Sequence, residues 1–209
     1  MELNHEQQNG RSKKRSVPRL FAFVVLILFL AFVAITAINY YKIINEKIQI
    51  SYCNSNLKQL VNGLATIAYD GQKNGDVSLQ QFPPLQTLAG NNYIDKKTLE
   101  NLMHCPKTHA EYIYVRYDRP VALVTSIAAA NTPVLFDSVI GCHKHRKFNF
   151  LGMGADLPWT LVAFEDGHVS IEENLTCFMD IYDRHAQFMS KEDTEVLKRT
   201  CEEADRRIQ

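Results

Sequence analysis

Neither charge predominates in this chain: 23 lysines and arginines balance 23 aspartates and glutamates over 209 residues. A balanced chain sets up no general field that would draw in nucleic acid or an acidic substrate, so neither is expected as a partner. The common catalytic patterns are missing as well. There is no glycine-rich phosphate loop, no dinucleotide fingerprint, no His-Glu-x-x-His and no Gly-x-Ser-x-Gly. Glu172 and Glu173 are immediate neighbours, and on a strand neighbours point to opposite faces, so they cannot work as an acid–base pair on one substrate. The expectation is a protein that is not an enzyme and carries no cofactor.

Two further absences organise the N-terminal part. No charged residue occurs in residues 20–38, where Thr36 is the single polar side chain, and no proline occurs between Pro18 and Pro83. At the rise of an α-helix the uncharged run is about 28 Å long, the thickness of a bilayer's hydrocarbon core. Arg11, Lys13, Lys14, Arg15 and Arg19 precede it, and Tyr40, Tyr41 and Lys42 follow it with the aromatic and cationic groups favoured at a membrane interface. The basic flank predicts a cytoplasmic N-terminus and a chain that lies outside the cytoplasm after Lys42. A cleaved secretory signal would have a shorter apolar core, about 7 to 15 residues, followed by small residues. Here Ala31, Ala34 and Ala37 fall inside the run while Asn39, Tyr40 and Tyr41 leave it, so a retained anchor is expected, with membrane lipid as its first partner.

Beyond Lys42, Ile43, Ile44, Ile48, Leu57, Leu60, Val61, Leu64 and Ile67 recur at helical spacings, which predicts that the helix continues toward Tyr69. Residues 51–56 and Gly63 are candidate points for a bend, and Asp70, Gly71, Asn74 and Gly75 are stop signals. After Phe82, Pro83 and Pro84, short helices are expected near 85–88 and 97–103. Strands are expected at 112–115, 121–127 and 134–136, and residues 141–158 read as the least structured stretch. A hairpin is expected to turn at Asp166 and Gly167, between residues 160–165 and 168–171, as a two-residue turn with positive φ at both positions. From Asn174 the pattern is helical again, with a start at Ser190 to Asp193 and a charged surface helix after it. The organisation is thus a basic tail at 1–19, a membrane helix at 20–41, a domain at 42–173 and a helical extension at 174–209.

Five cysteines, Cys53, Cys105, Cys142, Cys177 and Cys201, all follow the apolar run. At most two pairs can close, and spacing does not choose among pairings or between disulfides and buried thiols. Cys53 with Cys105, and Cys177 with Cys201, would each tie a helix to the segment after it. Cys142, His143 and His145 form the densest cluster of metal-ligating types, with His168 as a further candidate if the sheet returns it. The alternation with Lys144 and Arg146 suits a solvated basic loop equally well, so no metal is assigned.

Cys53, Asn54, Asn56, Leu57, Lys58 and Gln59 resemble the Cys-x-x-Asn-Leu-Lys-Gln segment of a large pilin-like family related to type IV pilins and type II secretion pseudopilins. Tyr69 with Asp70, then Phe82 to Pro84, then Cys105 with Pro106 continue in that family's order. Phe164, Asp166, Gly167, His168 and Val169 resemble its closing Phe-x-Asp-Gly-His-Val hairpin. The resemblance covers about 20–171. It implies an α+β pilin-like fold with a long N-terminal helix packed on a small antiparallel sheet, residence in a bacterial inner membrane with a periplasmic domain, and a Cys53–Cys105 bridge. It also implies sister pilin-like subunits or secretion-system membrane proteins as partners and a structural role. Two features depart from the family. Val17, Pro18, Arg19 and Leu20 stand before Phe21, with no glycine at the usual cleavage point and no glutamate in the span, and Asp156 stands where the His-x9-Asp-Gly signature has its histidine. The alternative reading is a membrane-tethered metal-binding or redox module built on Cys142, His143 and His145.

Overall fold

The computed structural model describes residues 16–75, 82–90, 93–122, 126–146 and 156–208. It is an α+β arrangement of a long apolar N-terminal helix and a small antiparallel sheet, and the chain divides into two compact units, Met1–Ile44 and Asn45–Gln209. Helix α1 runs over Ser16–Asn74.

In the first unit no residue of 20–38 is buried, and the helix is long and apolar enough to cross a membrane, with a mean hydropathy of 3.1 in its most apolar window. Its one polar side chain is satisfied within the helix: Thr36 Oγ1 donates to the carbonyls of Val33 (2.8 Å) and Phe32 (3.0 Å). In hydrocarbon that internal bond removes the cost of an unpaired hydroxyl.

In the second unit α1 turns amphipathic. Cys53, Leu57, Leu60, Val61, Leu64, Ile67 and Ala68 are buried on one stripe, while Tyr52 and Tyr69 are exposed. The candidate bend at 51–56 does not form. Ser55 accepts from Gln59 across one turn (3.1 Å), and the packing of Cys53 and Leu57 outweighs the weak helix preference of the serines and asparagines. The helix also passes Asp70 and Gly71, and ends where Gly75 takes φ 73°, a left-handed C-terminal turn that glycine adopts without a Cβ clash.

Short helices α2 (Thr87–Gly90) and α3 (Lys96–Leu102) follow. Asp95 caps α3 by accepting from the Thr98 amide at 3.0 Å. A Cβ on Gly63 would fall 2.6 Å from Cδ2 of the buried Leu88, so this glycine lets α2 lie close against α1.

The strands are β1 (Ile113–Tyr114), β2 (Pro133–Phe136), β3 (His143–Arg146), β4 (Asp156–Phe164) and β5 (Val169–Glu173). All pairings are antiparallel, and β4 is the hub. One edge of β4 pairs with β5. The other edge is shared by β2, opposite Val162 to Phe164, and β3, opposite Asp156 to Trp159. The link at 137–142 steps off β4 between them, and Gly141 (φ 66°) and the bond from its amide to Thr160 Oγ1 (3.2 Å) shape that step.

Three sequence expectations change here. Val121 and Ala122 are not in a strand, because Pro120 offers no amide and the Ala122 amide donates to the Glu165 carboxylate instead of a ladder; residues 123–125 lie outside the described residues. Within 141–158, β3 and the start of β4 occupy both ends, and 147–155 are outside the described residues. At the hairpin only Gly167 has positive φ (88°), with its amide bonded to the Phe164 carbonyl (2.9 Å). The turn is therefore a type I turn closed by a left-handed glycine rather than a two-residue turn with both positions left-handed.

Helices α4 (Met179–His185) and α5 (Lys191–Ile208) complete the unit. The segment 174–209, an extension by its sequence pattern, lies within the same compact unit and buries Leu175, Phe178, Ile181, Leu197 and Cys201 in the common core. Phe178 packs on Phe136 with ring centres 5.5 Å apart. Asp205 of α5 caps α4 by accepting from the amides of Phe178 (2.7 Å) and Met179 (3.2 Å).

Candidate metal centre

Four buried side chains converge from four places in the fold. Cys53 comes from the buried stripe of α1, Cys105 from the loop after α3, Asp137 from the end of β2, and His143 from the first position of β3. The α1 stripe turns Cys53 inward one turn before Leu57, and the step at 137–142 brings Asp137 and His143 to the same end of the sheet's interior.

The ligand-type atoms lie within 4.8 Å of one another. Cys53 Sγ is 3.3 Å from Cys105 Sγ and 3.1 Å from His143 Nε2, and Cys105 Sγ is 3.9 Å from that nitrogen. Asp137 Oδ2 is 4.0 Å from it. All four residues are at most 1% exposed.

Neighbouring groups hold this set in place. Asp137 is fixed by two bonds to Leu161: the Asp137 amide donates to the Leu161 carbonyl (3.2 Å), and Oδ2 accepts from the Leu161 amide (3.1 Å). Its Oδ1 has no hydrogen-bond partner among the described residues. On the far side of the imidazole, His143 Nδ1 lies 3.4 Å from Glu46 Oε1, and Lys107 Nζ reaches both oxygens of Glu46 at 2.6 Å. Cys142, buried immediately before His143, lies beside this set.

Hydrogen bonds from Cys142 and Cys53, with a further one from His143, hold the Cys105 thiol far below its ordinary range despite burial. The same bond to Cys105, together with burial, pushes the Cys53 and Cys142 thiols far up. Burial and the charge on Cys105 raise Asp137 to about 6. For His143 burial opposes protonation, but the bond to Cys105 and the Asp137 carboxylate outweigh it and raise the imidazole. The site is thus a buried cluster of sulfur, nitrogen and oxygen donors whose titrations are mutually coupled.

The structure regroups the residues anticipated from sequence. Cys53 and Cys105 meet, as free thiols. His143 joins them, Cys142 is buried immediately before it, and His145 lies two residues along β3 with its Cα opposite Leu157. His168 is elsewhere, stacked on Phe164 (4.4 Å between ring centres) and bonded through Nδ1 to Asp166 (2.5 Å) beside the hairpin turn. Cys177 and Cys201 are also free thiols, Cys201 fully buried and raised to about 12 by burial. Asp166 and Gly167 shape the turn and take no part in the cluster. Sequence reading missed Asp137 and Glu46. The signal for Asp137 was an acid placed directly after the wholly buried run Pro133–Phe136 and just before Cys142 and His143. Glu46 carries no such signal, since it sits among polar residues of a helix. No family model, curated protein or solved structure matches this chain.

Proposed function

We propose that this is a membrane-anchored, pilin-like or pseudopilin-like structural protein. Residues 20–41 anchor it in a bacterial inner membrane with the N-terminus cytoplasmic, and the folded unit works on the periplasmic side. Its role is to present a surface and to pack beside sister subunits or secretion-system membrane proteins, in a type II secretion or type IV pilus-like assembly, rather than to catalyse a reaction. The observation that carries this reading is the continuity of α1. One helix supplies an entirely exposed apolar run at 20–38 and, further along, the buried stripe from Cys53 to Ala68. An exposed run of that length is stable only in lipid or against other apolar helices. Ile48 and Tyr52, one turn apart and 44% and 59% exposed, offer a face on which a neighbouring helix could lie.

The test is fractionation and crosslinking of the full chain. The protein should stay with membranes through alkaline carbonate and leave with detergent, and a Q187C variant should react with a membrane-impermeant maleimide added to spheroplasts. A T66C control, exposed on α1 and likewise in the folded unit, should label in parallel. An Ile48→Cys variant should crosslink to a copy of itself or to another membrane protein. Release by carbonate sinks the anchor, a Q187C variant that stays unlabelled sinks the orientation, and a monomeric Ile48→Cys variant sinks the assembly.

A further inference from the structure

We propose that Cys53, Cys105, His143 and Asp137 are the four ligands of a closed zinc site that clasps helix α1 to the β2–β3 edge of the sheet. The inference is independent of the pilin-like reading, since it rests on the interior of the folded unit.

Geometry is the first argument. Zinc bonds sulfur at about 2.3 Å and nitrogen or oxygen at about 2.0–2.2 Å, so the edges of its tetrahedron measure about 3.3–3.8 Å. The separations here, 3.1, 3.3, 3.9 and 4.0 Å, straddle those edges. All four atoms lie within 4.8 Å of one another, so closing the wider separations by up to about 1 Å through side-chain torsions would place them on a common centre.

Donor chemistry is the second. Two sulfurs, one imidazole nitrogen and one carboxylate oxygen form a borderline-soft set. Magnesium and calcium select oxygen, copper(I) selects sulfur, and the mixed set in tetrahedral arrangement suits zinc. Because every ligand is at most 1% exposed, no position is left open to solvent or substrate. That is the form of a structural zinc site, not of a catalytic one.

The third argument is what surrounds the ligands. A metal-bound histidine ordinarily turns its second nitrogen to a carboxylate, and His143 Nδ1 lies 3.4 Å from Glu46 Oε1, an ion-pair contact that is not a hydrogen bond, while Nε2 faces the sulfurs. Asp137 is held through Oδ2 by the Leu161 amide, leaving Oδ1 buried and unpartnered among the described residues. An unpaired buried acceptor costs about 1–3 kcal/mol, and ligation through Oδ1, reached by a turn of the carboxylate, removes that cost while Oδ2 keeps its bond to Leu161.

A Cys53–Cys105 disulfide is the competing state. It would withdraw both sulfurs and leave Asp137 and His143 buried beside a neutral bond, whereas zinc uses all four groups. Binding involves no change of oxidation state: whatever protons the Cys53 and Cys105 sulfurs and the imidazole still hold pass to solvent as the metal–ligand bonds form.

The experiment uses the full chain purified in detergent without reductant or chelator. Metal content is read by plasma mass spectrometry and free thiols by titration in denaturant. One equivalent of zinc and five titratable thiols are expected. Cobalt(II) exchanged into the site should show thiolate charge-transfer absorption and the intense visible bands of a tetrahedral ion. H143A and D137N should lose the zinc, and C177A should keep it. If H143A or D137N fails to fold, E46Q keeps the test open: it leaves all four ligands in place and should weaken zinc affinity about 10–100-fold through the loss of the carboxylate behind His143. Three thiols with no metal would establish the disulfide and overturn the proposal, as would zinc retained by a C53S/C105S double variant, or unaltered zinc affinity in E46Q.

Discussion

Arg119 and Glu165 meet fork to fork: Nη1 and Nη2 each donate to one oxygen of the carboxylate at 2.7 Å, although the residues are 46 positions apart. The guanidinium also reaches Asp193 through Nε (2.7 Å) and lies over the rings of Tyr117 and Phe82 at 5.4 and 5.5 Å. It therefore joins the hairpin turn, the start of α5 and the loop after β1. Glu165 and Asp193 are 3% and 5% exposed, so removing the cation strands two buried carboxylates. Arg119→Met should destabilise the folded unit by about 2–4 kcal/mol, the lower end reflecting the partial exposure of Arg119 itself. Arg119→Lys should recover less than half of that loss, because an ammonium cannot make the paired contact. Denaturant midpoints of the three proteins in the same detergent check this, and equal midpoints would remove the network from the account of stability.

Glu172 of β5 receives Arg184 Nη1 at 2.6 Å and lies 3.6 Å from His185 Nε2. The neighbouring His185 imidazole first, and Arg184 after it, hold the carboxyl below its ordinary range against the opposing effect of burial. A carboxyl with a depressed folded pKa stabilises the fold above its unfolded pKa, and that stability is lost as pH falls through the folded value. The melting temperature of the native protein should exceed that of Glu172→Gln near neutral pH, and the gap should close as the pH drops below the ordinary glutamate range. A gap that stays constant down that series would mean that Glu172 contributes shape and not charge.

Gly141 combines φ 66° with a site where a Cβ would fall 2.7 Å from Pro158 Cβ. Gly141→Ala should cost about 1–2 kcal/mol from the left-handed conformation alone, with more from the clash. Gly90→Ala is the control, since nothing lies within 4 Å of a Cβ there and its φ is not left-handed. If thermal unfolding shows the two substitutions to be equivalent, the step at 137–142 is more pliant than its geometry indicates.

Leu197, Cys201 and Ala204 are the buried stripe of α5, and Glu195 is exposed on the same helix. Leu197→Ala should cost about 2–5 kcal/mol, whereas Glu195→Ala should stay within about 0.5 kcal/mol of the native protein. Truncation before Ser190 should abolish cooperative unfolding, because it also removes the Asp205 cap from α4 and the Asp193 partner of Arg119. A truncated chain with a native-like transition would make 174–209 the separable extension that its sequence suggests.

The elements read most directly from sequence were those set by local pattern. The uncharged run at 20–38 and the stripe from Leu57 to Ile67 marked α1, Ser190 marked the start of α5, and Gly167 marked the hairpin. Each depends on periodicity or on a backbone preference carried by a few adjacent residues. Reading failed where a distant partner took over a backbone group. The β-prone stretch from Val121 did not continue as a strand where Glu165 accepted the Ala122 amide, and the charged helix α5 proved to bury Leu197, Cys201 and Ala204 in the core with Val196 packed against it.

A helix able to cross a membrane, helix and strand segments after it, and the lack of a strong catalytic motif follow from residue order alone, because hydrophobicity and spacing act within a helical turn or a strand. That Cys53, Cys105, Asp137 and His143 share one buried site, with His145 further along β3, follows from tertiary packing. The reason is that the site depends on where β2 leaves β4 and β3 rejoins it against α1. Cys53 and His143 stand 90 residues apart in the chain, and the 3.1 Å between their sulfur and nitrogen is a product of packing rather than of any local pattern.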